Sequence, residues 1–271
     1  MNTNHLREMT TAQLRGLMVE MLGDIHRFCQ EKGISYHLVS GTLLGAVRHH
    51  GFIPWDDDLD IAMPRPDFER FRKEYDHPYF KFISAQNDTD YPLDYAKIHD
   101  IRTFLEEDNG TDVNWGVFID VFPVDGVPSE QEAQRMIRRI QIIRHFASNQ
   151  RVTRLFKVGK KHGLKKNVSI IVGKLLHPFV SLNQILKYED KAMQKYDFAD
   201  SAYAFYLPFI PVVIIRKDYV AETVPMPFEG IEVQVPKEYD KWLTQLYGDY
   251  MTPPPPEKQV SRHGIRAFWK Q

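Results

Sequence analysis

The chain has 271 residues, 43% of them apolar and 26% charged, with a net charge of −1 and one cysteine. This is an ordinary globular composition, long enough to bury roughly 70–75% of the unfolded surface, so no disulfide framework is needed; a single cysteine excludes an internal bridge. The N-terminus lacks the apolar core of a signal peptide, and no uncharged apolar run reaches the roughly 18–20 residues that span a bilayer, so a cytoplasmic protein is expected. Charge is unevenly placed: from Ala133 to Tyr188 there are 13 Lys or Arg and no Asp or Glu. An acidic main body with a basic insert suggests an anionic partner.

Residues 10–32 place Leu14, Leu17, Met18, Met21, Leu22, Ile25 and Phe28 on one face, with Thr10 or Thr11 as cap and Gly33 as stop. This pattern predicts an amphipathic helix, in which Cys29 is a core thiol. A strand over 36–39, a turn at 40–42 and a short helix over 43–49 ended by Gly51 follow. A second strand is expected over 58–63, then a helix over 65–75 with Pro66 in its first turn. Strands over 80–85, 95–101 and 116–121 precede a long basic helical region, about 129–192. Phe228-Glu229-Gly230 reads as a hairpin turn, 239–247 as a helix and 253–256 as a polyproline stretch. The class is α+β, a small mixed sheet flanked by helices. The expected organisation is a core over 1–128, a basic helical insert over 129–200, and a segment over 201–271 that completes the core.

The chemistry concentrates in Asp56-Asp57-Asp58-Leu59-Asp60. On a strand, Asp58 and Asp60 share a face about 6.5–7 Å apart, opposite Leu59 and Ile61, with Asp56 extending the row and Asp57 turned away. Carboxylates so placed repel unless a cation sits between them, and hard oxygen donors suit Mg²⁺ or Mn²⁺. A solvated acidic turn is the bland alternative. An EF-hand is excluded, because Ile61 and Asp67 stand where the loop needs Gly and Glu. Asp120 lies inside the apolar run Val117–Val121, where an ionised carboxylate needs a metal or a partner such as Arg. With Asp58 and Asp60 it would complete a three-carboxylate site, the arrangement two-metal phosphoryl chemistry uses. Gly41–Gly45 opens a helix after a strand, where backbone N–H groups can meet phosphate, but a P-loop's Gly-Lys-Ser/Thr ending is missing. The residues point to a metal-dependent enzyme acting on a phosphate ester.

Ser40-Gly41-Thr42-Leu43-Leu44-Gly45-Ala46-Val47-Arg48 and Gly51-Phe52-Ile53-Pro54-Trp55-Asp56-Asp57-Asp58-Leu59-Asp60 closely resemble blocks of the LicD family. Lys97-Ile98 with Arg102-Thr103, Gly116 to Pro123, and Leu246 to Met251 with Pro254-Pro255 are similar to its later blocks. The resemblance implies a nucleotidyltransferase-like fold and transfer of an alcohol phosphate from a CDP-linked donor to a sugar hydroxyl. The donor would be CDP-choline and the acceptor a teichoic-acid or lipopolysaccharide precursor. It also implies that Asp58, Asp60 and Asp120 are metal ligands, and that Asp56 is a further ligand or the base.

On the same reading Gly41 and Thr42 approach the phosphates, and Arg48, Lys97 and Arg102 are candidate phosphate clamps or else ion-pair partners. A choline headgroup needs aromatic walls, for which Trp55 and Trp115 are candidates. His49, His50 and His263 read as structural, and no His/Cys spacing supports zinc. Val168–Leu176, apolar amid the basic 133–188 region, suits a helix lying on the inner face of an anionic membrane. Nucleic acid is not an expected partner. The competing readings are a nucleotidyltransferase, a transferase using CDP-ribitol or CDP-glycerol, and a non-catalytic glycan- or membrane-binding protein.

Overall fold

The computed structural model describes residues 7–106, 115–151, 180–206, 212–260 and 265–270, with 142–151 as backbone only. Short β1 (Arg7–Glu8) leads into α1 (Thr11–Lys32). Thr10 caps α1: its hydroxyl accepts the Gln13 N–H while its own N–H donates to the Gln13 side chain. Gly33, at φ 60°, ends the helix in the left-handed conformation. Leu14, Leu17, Met18, Met21, Leu22 and Ile25 are buried along the expected face, each contributing about 1.5–3 kcal/mol. Cys29 joins them, its thiol pushed up by burial.

The central sheet runs in the order β2 (His37–Leu38), β3 (Asp60–Pro64), β7 (Phe118–Val127), β5 (Ala96–Asp100) and β4 (Phe80–Ile83). Within this order only β3 and β7 are parallel. β7 extends well past the expected 116–121 because its second half pairs with β8 (Tyr203–Tyr206), which in turn pairs with β9 (Val213–Arg216). Alternation sorts side chains between two cores. Ile61, Met63 and Val121 pack with the α1 face, whereas Ala62, Phe122 and Val124 pack with Tyr206 and Trp242.

Several expected boundaries move. Residues 40–42 are not a separate turn but the first turn of α2 (Ser40–His49), because extended Val39 caps it and accepts the Leu43 N–H at 2.9 Å. α2 ends at left-handed His50, not at Gly51. Gly51 serves close packing instead: a Cβ there would collide with Glu229 in the turn between β10 (Thr223–Phe228) and β11 (Ile231–Pro236). That turn is the expected hairpin, Glu229 and Gly230 both lying at positive φ. β3 begins at Asp60, so Asp58 sits in the approach to the strand. α3 (Arg65–Glu74) and α6 (Tyr239–Tyr247) match expectation. A three-stranded sheet, β1 with β12 (Arg266–Trp269) and β6 (Thr103–Glu106), was not legible in the pattern.

Within the region expected to be helical, α4 (Glu130–Arg151) and α5 (Leu182–Met193) are present. Val168–Leu176 and His263 lie outside the described residues. No helix among those described is long and apolar enough to cross a membrane.

Candidate active site

Three adjacent strands place Asp60, Asp120 and Lys97 in one row: Asp60 is the register partner of Asp120, and Asp120 of Lys97. They project from the face opposite the α1 core. The Asp60 backbone is held on both sides, its carbonyl accepting the Val39 N–H and its N–H donating to Thr42 Oγ1 at 2.9 Å. Asp60 and Asp120 are only 8% and 9% exposed. Burial, and then Asp58, Asp120 and Asp56 in that order, hold the Asp60 carboxyl well above the usual carboxylate range; Lys97 opposes them incompletely. The Lys97 ammonium donates to Asp120 and rests on the Phe118 ring, 3.1 Å from its centroid. The partner expected of Asp120 in a structural role was an Arg; here it is this Lys.

Asp56, Asp58 and Asp60 line a cleft of about 530 Å³, walled on one side by the N-terminal turns of α2 and on the other by the segment from Tyr247 to Val260. Gly41 lets the acidic loop approach α2: a Cβ there would lie 2.6 Å from Asp56 Oδ2. The carboxylate therefore lies against the start of α2, where the helix dipole favours negative charge. Since the obstructed atom is the end of a mobile side chain, Gly41→Ala should leave the fold intact and move the carboxylate. Alanine is the better helix former by roughly 0.5–1 kcal/mol. The expected variant has an unchanged or slightly higher melting temperature and turnover about tenfold lower, since misplaced groups are costly in rate. Thermal unfolding and steady-state rates measured together check this.

The acidic loop is also held from behind. Arg15 Nη2 on α1 donates to the carbonyls of Ile53, Pro54 and Asp56 at 3.3, 2.9 and 2.7 Å. The guanidinium lies over Phe52, 5.0 Å from the ring centroid. Arg15→Met frees those carbonyls and should lower turnover roughly tenfold through loss of positioning, with Arg15→Lys recovering part of it. Equal kinetics in all three proteins would show that the loop holds itself.

A family model for the LicD/FKTN/FKRP nucleotidyltransferase domain matches residues 33–151, which span the row and its approach. The chain is also 32% identical, over 97% of its length and 99% of the relative's, to the lipopolysaccharide cholinephosphotransferase LicD of Haemophilus influenzae. The chain belongs to the LicD family. Shorter matches join it to uncharacterized proteins of two Rickettsia species. One, of Rickettsia typhi, is 45% identical over 30% of this chain and 24% of that protein. The other, of Rickettsia prowazekii, is 48% identical over 18% and 19%.

In this LicD-family chain the remaining candidate residues divide by position. Gly41, Arg48 and Trp55 line the cleft. Arg48 Nη1 donates to the Tyr250 carbonyl, tying α2 to the C-terminal wall, and its Nε donates to His49. Thr42 is buried and spends its hydroxyl on the Asp60 backbone. Lys97 is buried on Asp120, behind the cleft. Arg102 grips Asp100, stacks over Tyr79 and does not line the cleft. Trp115 packs against Tyr91 and His99. Among the described residues no three Asp, Glu, His or Cys stand close enough together, as placed, to hold an ion.

Sequence reasoning missed Arg15 and assigned no role to Tyr247, Asp249 or Tyr250. The last three sit in the C-terminal block whose order matches the family, which was the available signal. Arg15 carried none, lying on the polar side of an amphipathic helix.

Proposed function

We propose that this protein transfers phosphocholine from CDP-choline to a sugar hydroxyl of an anionic, lipid-linked glycan precursor of lipopolysaccharide or teichoic acid. The observation that carries the reading is buried Asp60, which lines the cleft at the start of α2 with Asp56 and Asp58 and has Asp120 as its register partner on the next strand. The name of the Haemophilus relative supports choline as the alcohol and lipopolysaccharide as the context.

The donor set is all oxygen, and the raised Asp60 carboxyl marks a cluster short of positive charge, which suits a hard divalent ion. To hold Mg²⁺ or Mn²⁺, Asp58, Asp60 and Asp120 would have to draw closer together than they stand, and the ion's charge would then offset that of the donor pyrophosphate. The protein's own groups do the rest. Arg48 meets phosphate oxygens from the cleft wall, and the first turn of α2 presents its N–H groups to them. The acceptor oxygen bonds to the phosphorus bearing choline and its proton passes to Asp56. The bond from that phosphorus to the CMP oxygen breaks, and CMP leaves with the electron pair.

The test offers CDP-choline, CDP-ribitol and CDP-glycerol with Mg²⁺ and acceptor glycan. Stoichiometric CMP and phosphocholine on the glycan, with CDP-choline preferred, are the expected products. A nucleotide on the acceptor, or preference for another donor, overturns the reading. The cation-rich 133–188 region supports a further proposal, peripheral contact with an anionic membrane, which co-sedimentation with phosphatidylglycerol vesicles checks.

A further inference from the structure

The cleft lining combines two chemistries. Asp56, Asp58 and Asp60 make an anionic floor suited to a metal-bound pyrophosphate. The lining is also aromatic: Tyr247 and Tyr250 come from the C-terminal segment, and Trp55 lines the same space from the acidic loop. Tyr247 is 46% exposed, far more than a core packing role requires of so large a side chain. Next to it Asp249 lines the cleft, its carboxylate accepting the Thr252 hydroxyl at 2.7 Å, which fixes its orientation. Tyr250 is set rigidly, its hydroxyl donating to Asp240 at 2.6 Å and its carbonyl accepting from Arg48.

Aromatic faces together with one carboxylate and no hydrogen-bond requirement are what a quaternary ammonium needs, because it has charge but no N–H to donate. A polyol such as ribitol or glycerol would need donors and acceptors along its length instead. We propose that Trp55, Tyr247 and Asp249 form the subsite for the cationic headgroup of the donor alcohol, an assignment that rests on the phosphocholine-transfer reading above. Trp115, the other tryptophan beside the acidic blocks, has no part in it, since it packs on Tyr91 and His99 and does not line the cleft.

The experiment compares CDP-choline with the CDP ester of 3,3-dimethylbutanol, in which carbon replaces the charged nitrogen at equal shape. CMP release is followed for each. Wild-type protein is expected to favour CDP-choline by about 10–30-fold in kcat/KM, the range of a desolvated cation–π contact. Tyr247→Leu, Trp55→Leu and Asp249→Asn should each shrink that ratio by roughly threefold or more, while Tyr247→Phe keeps it. Inhibition by CMP, which reads the nucleotide end, should not change in Tyr247→Leu. Since Tyr247 is half-exposed, its variants test the idea even where Trp55→Leu folds poorly. A ratio unchanged in Tyr247→Leu and Asp249→Asn overturns the subsite while leaving the transferase reading standing. No CMP from either donor with wild-type protein overturns that reading and the subsite with it.

Discussion

Asp60→Asn should raise the melting temperature by about 2–6 °C while lowering turnover at least roughly 100-fold. The Asp60 carboxyl is buried, and Asp58, Asp120 and Asp56 add to the cost of its charge. Asparagine keeps the shape, and the backbone bonds to Val39 and Thr42 do not involve the side chain. Each pKa unit by which folding raises the group costs about 1.4 kcal/mol at a pH above both values, and the substitution removes that cost. The sign also sets a pH dependence. A carboxyl raised on folding binds its proton more tightly in the native state, so wild-type stability grows as pH falls from neutrality through the folded value, towards the ordinary carboxylate range. Asp60→Asn should lack this term, so the two melting curves converge on acidification. Calorimetry at several pH values measures it, and a variant less stable than wild type at neutral pH would show that Asp60 is not strained by its neighbours.

Arg65→Met should have the opposite character, with a large loss of stability. Arg65 Nε and Nη2 grip both oxygens of Asp125 at 2.7 Å, and Nη1 donates to Asp190 on α5 at the same distance. Asp125, on the second half of β7, is 1% exposed. Removing the guanidinium leaves a buried charge alone, which costs about 3–5 kcal/mol, or some 6–20 °C in a domain of this size. Lysine is a poor substitute because it lacks the planar fork. Burial already raises the Asp125 carboxyl against the pull of Arg65. In the variant it rises further, so the deficit should be greatest near neutrality and shrink as pH falls. Adding Asp125→Asn should recover a large part of it. Urea denaturation at two pH values separates these outcomes; a deficit independent of pH would mean lost packing, not a stranded charge.

These two sites differ in how far they could be read in advance. The acidic run and Asp120 announced themselves: acids beside apolar residues at strand spacing are costly without a compensating charge, whatever the neighbours. Order along the chain then tied them to one family. Arg65 and Asp125 are separated by 60 positions and each looks ordinary alone. Lys97 read as a phosphate clamp because its reach to Asp120 depends on an antiparallel register no local pattern encodes. Trp55 and Trp115 looked equivalent, both aromatic and both beside acidic blocks, yet one lines the cleft and the other packs on Tyr91.

By itself, then, the chain's order determined α1 with its cap and stop, the Glu229-Gly230 hairpin, the α+β class, and the acids that gather around Asp60. Those follow from forces acting over a few residues: periodicity, capping and the cost of burying charge. Tertiary structure alone decided that β3 begins at Asp60, that β7 continues to β8, and that Lys97 faces Asp120. It also brought the Tyr247–Asp249 segment across the sequence to face Asp56. Register and crossover place those groups, and their energies come from pairs distant in sequence, which no local window contains.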